Sequence, residues 1–249
     1  MSRPIFAANW KMNHGPTDAR EFLLSFLQYY PRHSDRQVIL FPSSIALAAV
    51  VEGLKSRSDI RVGVQNIHWE AKGAFTGEIS GSMARDAGAH YALVGHSERR
   101  HVFDESDEET GKKVVASFRA GLTPILCVGE KLEERESGET DIVVLRQLRA
   151  GLSGIEPSQI PHVLIAYEPV WAIGTGKNAT PDDASRVHRL IRYELKLMAP
   201  ERYSAIPILY GGSVNRGNAA QLLGAPEVEG LLVGGASLDP EAWSSIVRA

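Results

Sequence analysis

Eight short apolar runs punctuate the chain, at residues 5–8, 38–41, 60–64, 91–94, 124–128, 162–167, 206–210 and 230–233. Most are nearly unbroken rather than alternating, the pattern of strands buried on both faces. They recur about every 30 residues, with helical periodicity between them. Thr17 and Asp18 open one such stretch, with Phe22, Leu23, Phe26 and Leu27 at helix spacing. Thr180-Pro181-Asp182-Asp183 is a helix start: an N-cap threonine, a proline at the first helical position and acids in the first turn. Val187, Leu190, Ile191 and Leu195 continue that helix, and it stops before Pro200. Residues 139–152 and 239–247 also read as helices. Strands alternating with helices predict parallel βαβ units, hence the α/β class. Eight units fit a closed (β/α)8 barrel, and a doubly wound open sheet is the alternative. No Pro/Gly/Ser-rich linker interrupts the chain, so residues 1–249 are expected to form a single domain.

Composition narrows the function more than the fold. With 43% apolar and 23% charged residues, the chain is neither disordered nor fibrous. The longest apolar run, 45–51, is far short of the roughly 20 residues that span a bilayer, and the N-terminus opens no signal-peptide apolar region. A net charge of −3 predicts neither a nucleic-acid partner nor attachment to an anionic membrane. Cys127 is the only cysteine, so no internal disulfide forms and a cytoplasmic location is expected. The acidic stretches 104–109 and 133–139 read as solvated loops and helix starts without a function.

In a parallel barrel, the residues that follow the strands face one mouth. Asn9-Trp10-Lys11 follows the first run, and Gly95-His96-Ser97-Glu98-Arg99-Arg100 the fourth. Glu168 follows the sixth, Gly211-Gly212-Ser213 the seventh and Gly234-Gly235 the eighth. Glycine turns let backbone N–H groups approach a phosphate, and barrels often bind phosphate after strands seven and eight. Lys11, His96 and Glu168 add acid–base groups beside that anion site, with no nucleophile motif among them. This favours proton transfer on a small phosphorylated substrate. Gly174 to Ala179 fits the loose dinucleotide pattern, but the helix it should open starts only at Thr180. No histidine or cysteine spacing signals a metal, and no cofactor is expected.

The segments Asn9-Trp10-Lys11-Met12-Asn13, Val94 to Arg100, Cys127-Val128-Gly129-Glu130, Tyr167 to Gly176, Tyr210 to Val214 and Leu232 to Leu238 together resemble the triosephosphate isomerase family, in order and in length. The resemblance implies interconversion of dihydroxyacetone phosphate and D-glyceraldehyde 3-phosphate through an enediolate. Under it Glu168 is the general base and His96 the electrophile. Asn9 and Lys11 bind and stabilise charge, and Gly174, Ser213, Gly234 and Gly235 contact phosphate. Glu98 is a supporting residue near Lys11, and Cys127 a packed one. His96, which opens a short helix, is expected to be kept neutral by the helix end, as in this family. Residues 169–177 then read as a lid, stiffened by Pro169 and given an apolar body by Val170, Trp171 and Ile173. In the family the loop matching 65–80 enters a neighbouring subunit, so a homodimer is expected through Phe75, Thr76 and Glu78. A barrel aldolase and a non-catalytic phosphate-binding barrel are the competing readings. The first would need a Schiff-base lysine inside a strand. The second would not need Glu168, His96 and Lys11 together.

Overall fold

The structure, a computed structural model, describes residues 3–173 and 179–249. Its strands are β1 (Ile5–Asn9), β2 (Gln37–Phe41), β3 (Ile60–Val64), β4 (Tyr91–Val94), β5 (Thr123–Val128), β6 (Leu164–Tyr167), β7 (Ile208–Tyr210) and β8 (Gly230–Val233). All neighbouring pairs are parallel, and β1 pairs with β8 through Ile5 opposite Gly230, which closes the barrel. Closure removes the doubly wound alternative. The surrounding helices are α1 (Pro16–Tyr29), α2 (Leu47–Gly53), α3 (Gly81–Asp86), α4 (Ser97–Val102), α5 (Asp107–Arg119), α6 (Leu132–Glu136), α7 (Thr140–Leu152), α8 (Pro181–Met198), α9 (Ala219–Leu223) and α10 (Pro240–Val247). None of them is long and apolar enough to cross a membrane.

Side chains alternate across each strand, so the barrel makes two cores. Ala7, Ile39, Phe41, Leu93, Ile125 and Cys127 belong to the cluster that fills the interior. Phe6, Ala8, Leu40, Val94, Leu126 and Trp243 belong to the shell between barrel and helices. Cys127 is fully buried, as its expected packing role requires.

Two strands start later than the apolar pattern predicts, and proline explains both. Residues 160–162, with Pro161, form a 3-10 turn, so β6 opens at Leu164 rather than at residue 162. Pro207 has no N–H to donate, and Ile206 donates back to Tyr203, so β7 opens at Ile208. The first helix starts at Pro16 with Gly15 as its cap, just ahead of the Thr17-Asp18 signal.

The predicted Thr180 start holds. The Thr180 hydroxyl accepts the Asp183 N–H at 3.1 Å, and the Asp183 carboxylate accepts the Thr180 N–H at 2.9 Å. The acidic stretches conform with one exception. Asp107, Glu108 and Glu109 occupy the first turn of α5, and Glu133 and Glu134 that of α6. Glu105, expected in solvent, is instead buried against the Lys113 ammonium, with the Arg99 guanidinium at 3.2 Å. A carboxylate tolerates such burial only when paired.

On α8 the fully buried polar residue is His188, whose Nδ1–H donates to the Glu227 carbonyl at 2.7 Å. Burial lowers its pKa from 6.5 to about 4. The unfolded chain therefore takes up this proton as the pH falls through 6.5, while the folded chain refuses it until about 4. Stability should fall by about 3 kcal/mol across that window from this group alone. Urea titrations at pH 7 and pH 4 measure it. A His188→Gln chain should lose that part of the slope, and an unchanged slope would disprove the assignment.

Candidate active site

At the C-terminal ends of the strands, Asn9, Lys11, His96, Glu168, Ser213, Gly234 and Gly235 line one cavity of about 260 Å³. Gly174, the remaining phosphate residue named from the sequence, lies outside the described residues. The barrel brings these groups together from five strand ends separated by up to 226 positions in the chain.

Glu168 is the residue directly after β6, only 2% exposed. Its backbone is held by its N–H to the Val128 carbonyl at 2.8 Å. Two glycines make space around it. A Cβ on Gly129 would lie 1.7 Å from the Glu168 carbonyl oxygen, and one on Gly211 would lie 2.8 Å from its Cγ. Both carboxylate oxygens are engaged: one takes His96 Nε2 at 3.0 Å, the other the Ser97 N–H at 2.9 Å.

His96 caps α4, and its Nδ1 accepts the Glu98 N–H at 3.2 Å. That donor needs the Nδ1 lone pair, so the ring proton is assigned to Nε2, facing Glu168. Burial works against the imidazolium, but the Glu168 carboxylate outweighs it and raises the His96 pKa. This differs from the sequence-based expectation of a pKa depressed by the helix end. The helix end is present, yet a carboxylate at 3.0 Å is a larger local charge than half a helix dipole. Burial pushes Glu168 up, while His96, the Ser97 N–H and Lys11 hold it below the ordinary carboxylate value.

Lys11 reaches the cavity from a left-handed backbone conformation, φ 52°. The Asn9 side-chain oxygen accepts the Lys11 N–H at 3.0 Å, which holds that turn. The Lys11 ammonium donates to Glu98 at 2.6 Å, so Glu98 sits where the resemblance placed it. Gln65 was not singled out from the sequence. Its amide donates to the carbonyls of Lys11 at 2.8 Å and Phe41 at 2.9 Å, tying the 65–80 loop to the lysine turn. Its position at the top of β3, one residue past Val64, was the available signal.

In the same cavity wall, residues 235–237 form a 3-10 turn capped by Gly234. First-turn N–H groups have no acceptor within a helix, so Gly234, Gly235 and the Ser213 turn make a donor-rich wall suited to a phosphate. The Ser237 hydroxyl donates to the Gly234 carbonyl at 2.6 Å and steadies the turn.

The start of the expected lid is anchored below. Trp171 Nε1 donates to Glu130 at 2.9 Å, Tyr167 donates to the same carboxylate at 3.1 Å, and the Arg135 guanidinium stacks over the Trp171 ring at 4.3 Å. Burial raises the Glu130 pKa. Ile173 lines the cavity, and 174–178 lie outside the described residues. Phe75, Thr76 and Glu78 do not join this site. They line a separate groove of about 290 Å³ with Arg99 and Phe103.

A family model described as triosephosphate isomerase matches residues 4–249. A protein named triosephosphate isomerase from Moorella thermoacetica is 49% identical, over 100% of this chain and 99% of that protein. Its namesake from Symbiobacterium thermophilum is 48% identical, over 100% of this chain and 97% of that protein. The one from Solibacter usitatus is 46% identical over the full length of both.

Proposed function

Because the chain belongs to the triosephosphate isomerase family, we propose that its reaction is carried by Glu168, His96, Lys11 and Asn9. The enzyme interconverts dihydroxyacetone phosphate and D-glyceraldehyde 3-phosphate by proton transfer through an enediolate, a step of glycolysis and gluconeogenesis. The observation that carries the assignment of roles is the buried contact of 3.0 Å between His96 Nε2 and Glu168, on the wall of a cavity that the Gly234-Gly235 turn also lines.

Glu168 takes the proton from the carbon beside the carbonyl. To do so its carboxylate gives up the Nε2–H and the Ser97 N–H that it now accepts. The substrate oxygen then receives the Nε2–H, so His96 polarises the carbonyl and serves the enediolate oxygens. Lys11 supplies fixed positive charge for the developing anion, and Asn9 holds the turn that aims it. Ser213, Gly234 and Gly235 bind the phosphate, with Gly174 as a further contact. The lid excludes water and so protects the enediolate from losing its phosphate. No step requires a cofactor.

Isomerisation in deuterated water tests this route. Product and recovered substrate should carry solvent deuterium at the carbon that exchanges its proton. Product free of label under single-turnover conditions would mean hydride transfer and would end the enediolate reading.

We further read the chain as one catalytic domain that works in the cytoplasm as a homodimer. Apolar side chains in the loops that follow the first four strands support the dimer. Met12 is 96% and Ile45 74% exposed, and Phe75, Val102 and Phe103 are also exposed. The 65–80 loop is braced as a projecting unit, with His68 N–H on the Ile79 carbonyl at 2.8 Å and Glu78 N–H on the Phe75 carbonyl at 3.0 Å. Through Gln65 its base touches the Lys11 turn, so losing the partner should disturb the lysine. Sedimentation at micromolar concentration should give a dimer. Thr76→Arg should give monomers with kcat lowered at least about tenfold. A monomeric unaltered chain would refute the dimer.

A further inference from the structure

The opposite mouth of the barrel, at the N-terminal ends of the strands, holds a second polar cavity of about 410 Å³. Its walls include Arg3, Arg36, Arg61, His33, Gln37 and Tyr91, against a single carboxylate, Asp59. Arg61 stands opposite Ile39 of the interior cluster, so its side chain belongs to the inward-facing set and emerges at the mouth.

Most arginines on this face have a structural task. Helices end here, and cations suit the carbonyls left there. Arg32 donates to the Ser56 carbonyl and Arg36 to that of Val247. Arg57 binds the Tyr30 carbonyl at 3.0 Å, and Arg85 that of Ala89 at 3.0 Å. The acids are also taken. Asp35 holds Arg36 at 2.9 Å, and Asp59 holds Arg57 at 2.7 Å. Arg3 and Arg61 have no carboxylate or carbonyl partner among the described residues. His33 Nε2 is buried with no partner among them. Helix capping accounts for four guanidiniums and leaves these two. In a chain of net charge −3 they are not a by-product of basic composition. The half-buried His90 reports the field locally: burial, then Arg61 and Arg85, lower its pKa.

We propose that this mouth is a binding site for a small free oligophosphate, held by Arg3 and Arg61 with Arg36 at the rim. Guanidiniums bind phosphate oxygens in paired fashion, and a cavity of this size takes a ligand of two or three phosphate groups. The site lies a barrel's length from Glu168 and is independent of the reaction assigned there.

The probe is inorganic tripolyphosphate, titrated calorimetrically into the full chain carrying Lys11→Met, which weakens the anion site at the catalytic mouth. One tripolyphosphate should bind per chain. Adding Arg3→Gln and Arg61→Gln should weaken that binding at least about tenfold. The same pair in the otherwise unaltered enzyme should leave kcat and KM unchanged. Affinity within twofold of the parent overturns the proposal. If the double variant does not fold, the His90 titration in the unaltered chain decides. Saturating tripolyphosphate should raise the His90 pKa by neutralising the guanidiniums, and an unmoved His90 overturns the proposal.

Discussion

Replacing Glu168 by glutamine should lower kcat by about 10⁴ while KM moves little. The amide keeps the side chain's length, and its one oxygen can still accept His96 Nε2–H, but its NH2 then faces the Ser97 N–H, so the variant loses the base together with one of the two hydrogen bonds that hold it. It cannot take a carbon-bound proton. Glu168→Asp separates basicity from placement. The carboxylate survives but retreats by about one methylene, and a shift near 1 Å costs about 100-fold. The expected order is unaltered chain, then aspartate, then glutamine, spanning about 5 kcal/mol of barrier. A coupled assay on glyceraldehyde 3-phosphate reads all three. A glutamine chain within tenfold of the parent would remove Glu168 from the role of base. The glycines beside it make the measurement clean. Gly129 and Gly211 already give the Glu168 backbone and Cγ their space, and neither variant needs more volume.

Lys11→Met should lower kcat/KM by about 10² to 10³, with KM rising as well as kcat falling. Methionine keeps an unbranched chain of similar length and removes the ammonium. Two losses then combine. The developing oxyanion loses its fixed counter-charge in a site of low water content, and the substrate dianion loses attraction at entry. Glu98, now 2.6 Å from the ammonium, is left as an uncompensated negative charge near the anion site, which adds to the effect. Lys11→Met with Glu98→Gln should therefore recover part of KM and little of kcat. Steady-state kinetics of the two chains read that split. A loss below tenfold in the single variant would show that the lysine's charge is not used in the transition state.

Much of the architecture was legible in the chain. The Thr180-Pro181 start, the end before Pro200 and the eight apolar runs all follow from local rules, because capping, proline geometry and double-sided burial act within a few residues. The late starts of β6 and β7 were legible in principle from Pro161 and Pro207, whose effect on the ladder outweighs the apolar pattern. The candidate site was readable because a parallel barrel sends every strand end to one mouth. Gln65 escaped notice because an amide carries no chemistry of its own, and only its reach to the Lys11 carbonyl gives it a role. Glu105 was read as solvated because nothing local distinguishes it from its acidic neighbours, while Lys113, eight positions on, brings the charge that allows its burial.

By itself, the sequence determined the alternation of strand and helix, the closed-barrel option, the family resemblance and which acid–base groups follow the strands. Periodicity and motif chemistry are properties of neighbours along the chain. Tertiary structure alone decided what His96 Nε2 faces, because the carboxylate 3.0 Å away lies 72 positions further along the chain, whereas the Glu98 N–H on Nδ1 comes from the helix beside it. It also decided where charge collects. A net charge of −3 describes the chain as a sum, whereas the fold pairs most arginines at the N-terminal mouth with helix-end carbonyls and leaves Arg3 and Arg61 without a carboxylate or carbonyl partner among the described residues. Electrostatic energy depends on distance and on the surrounding dielectric, and only the folded chain sets either.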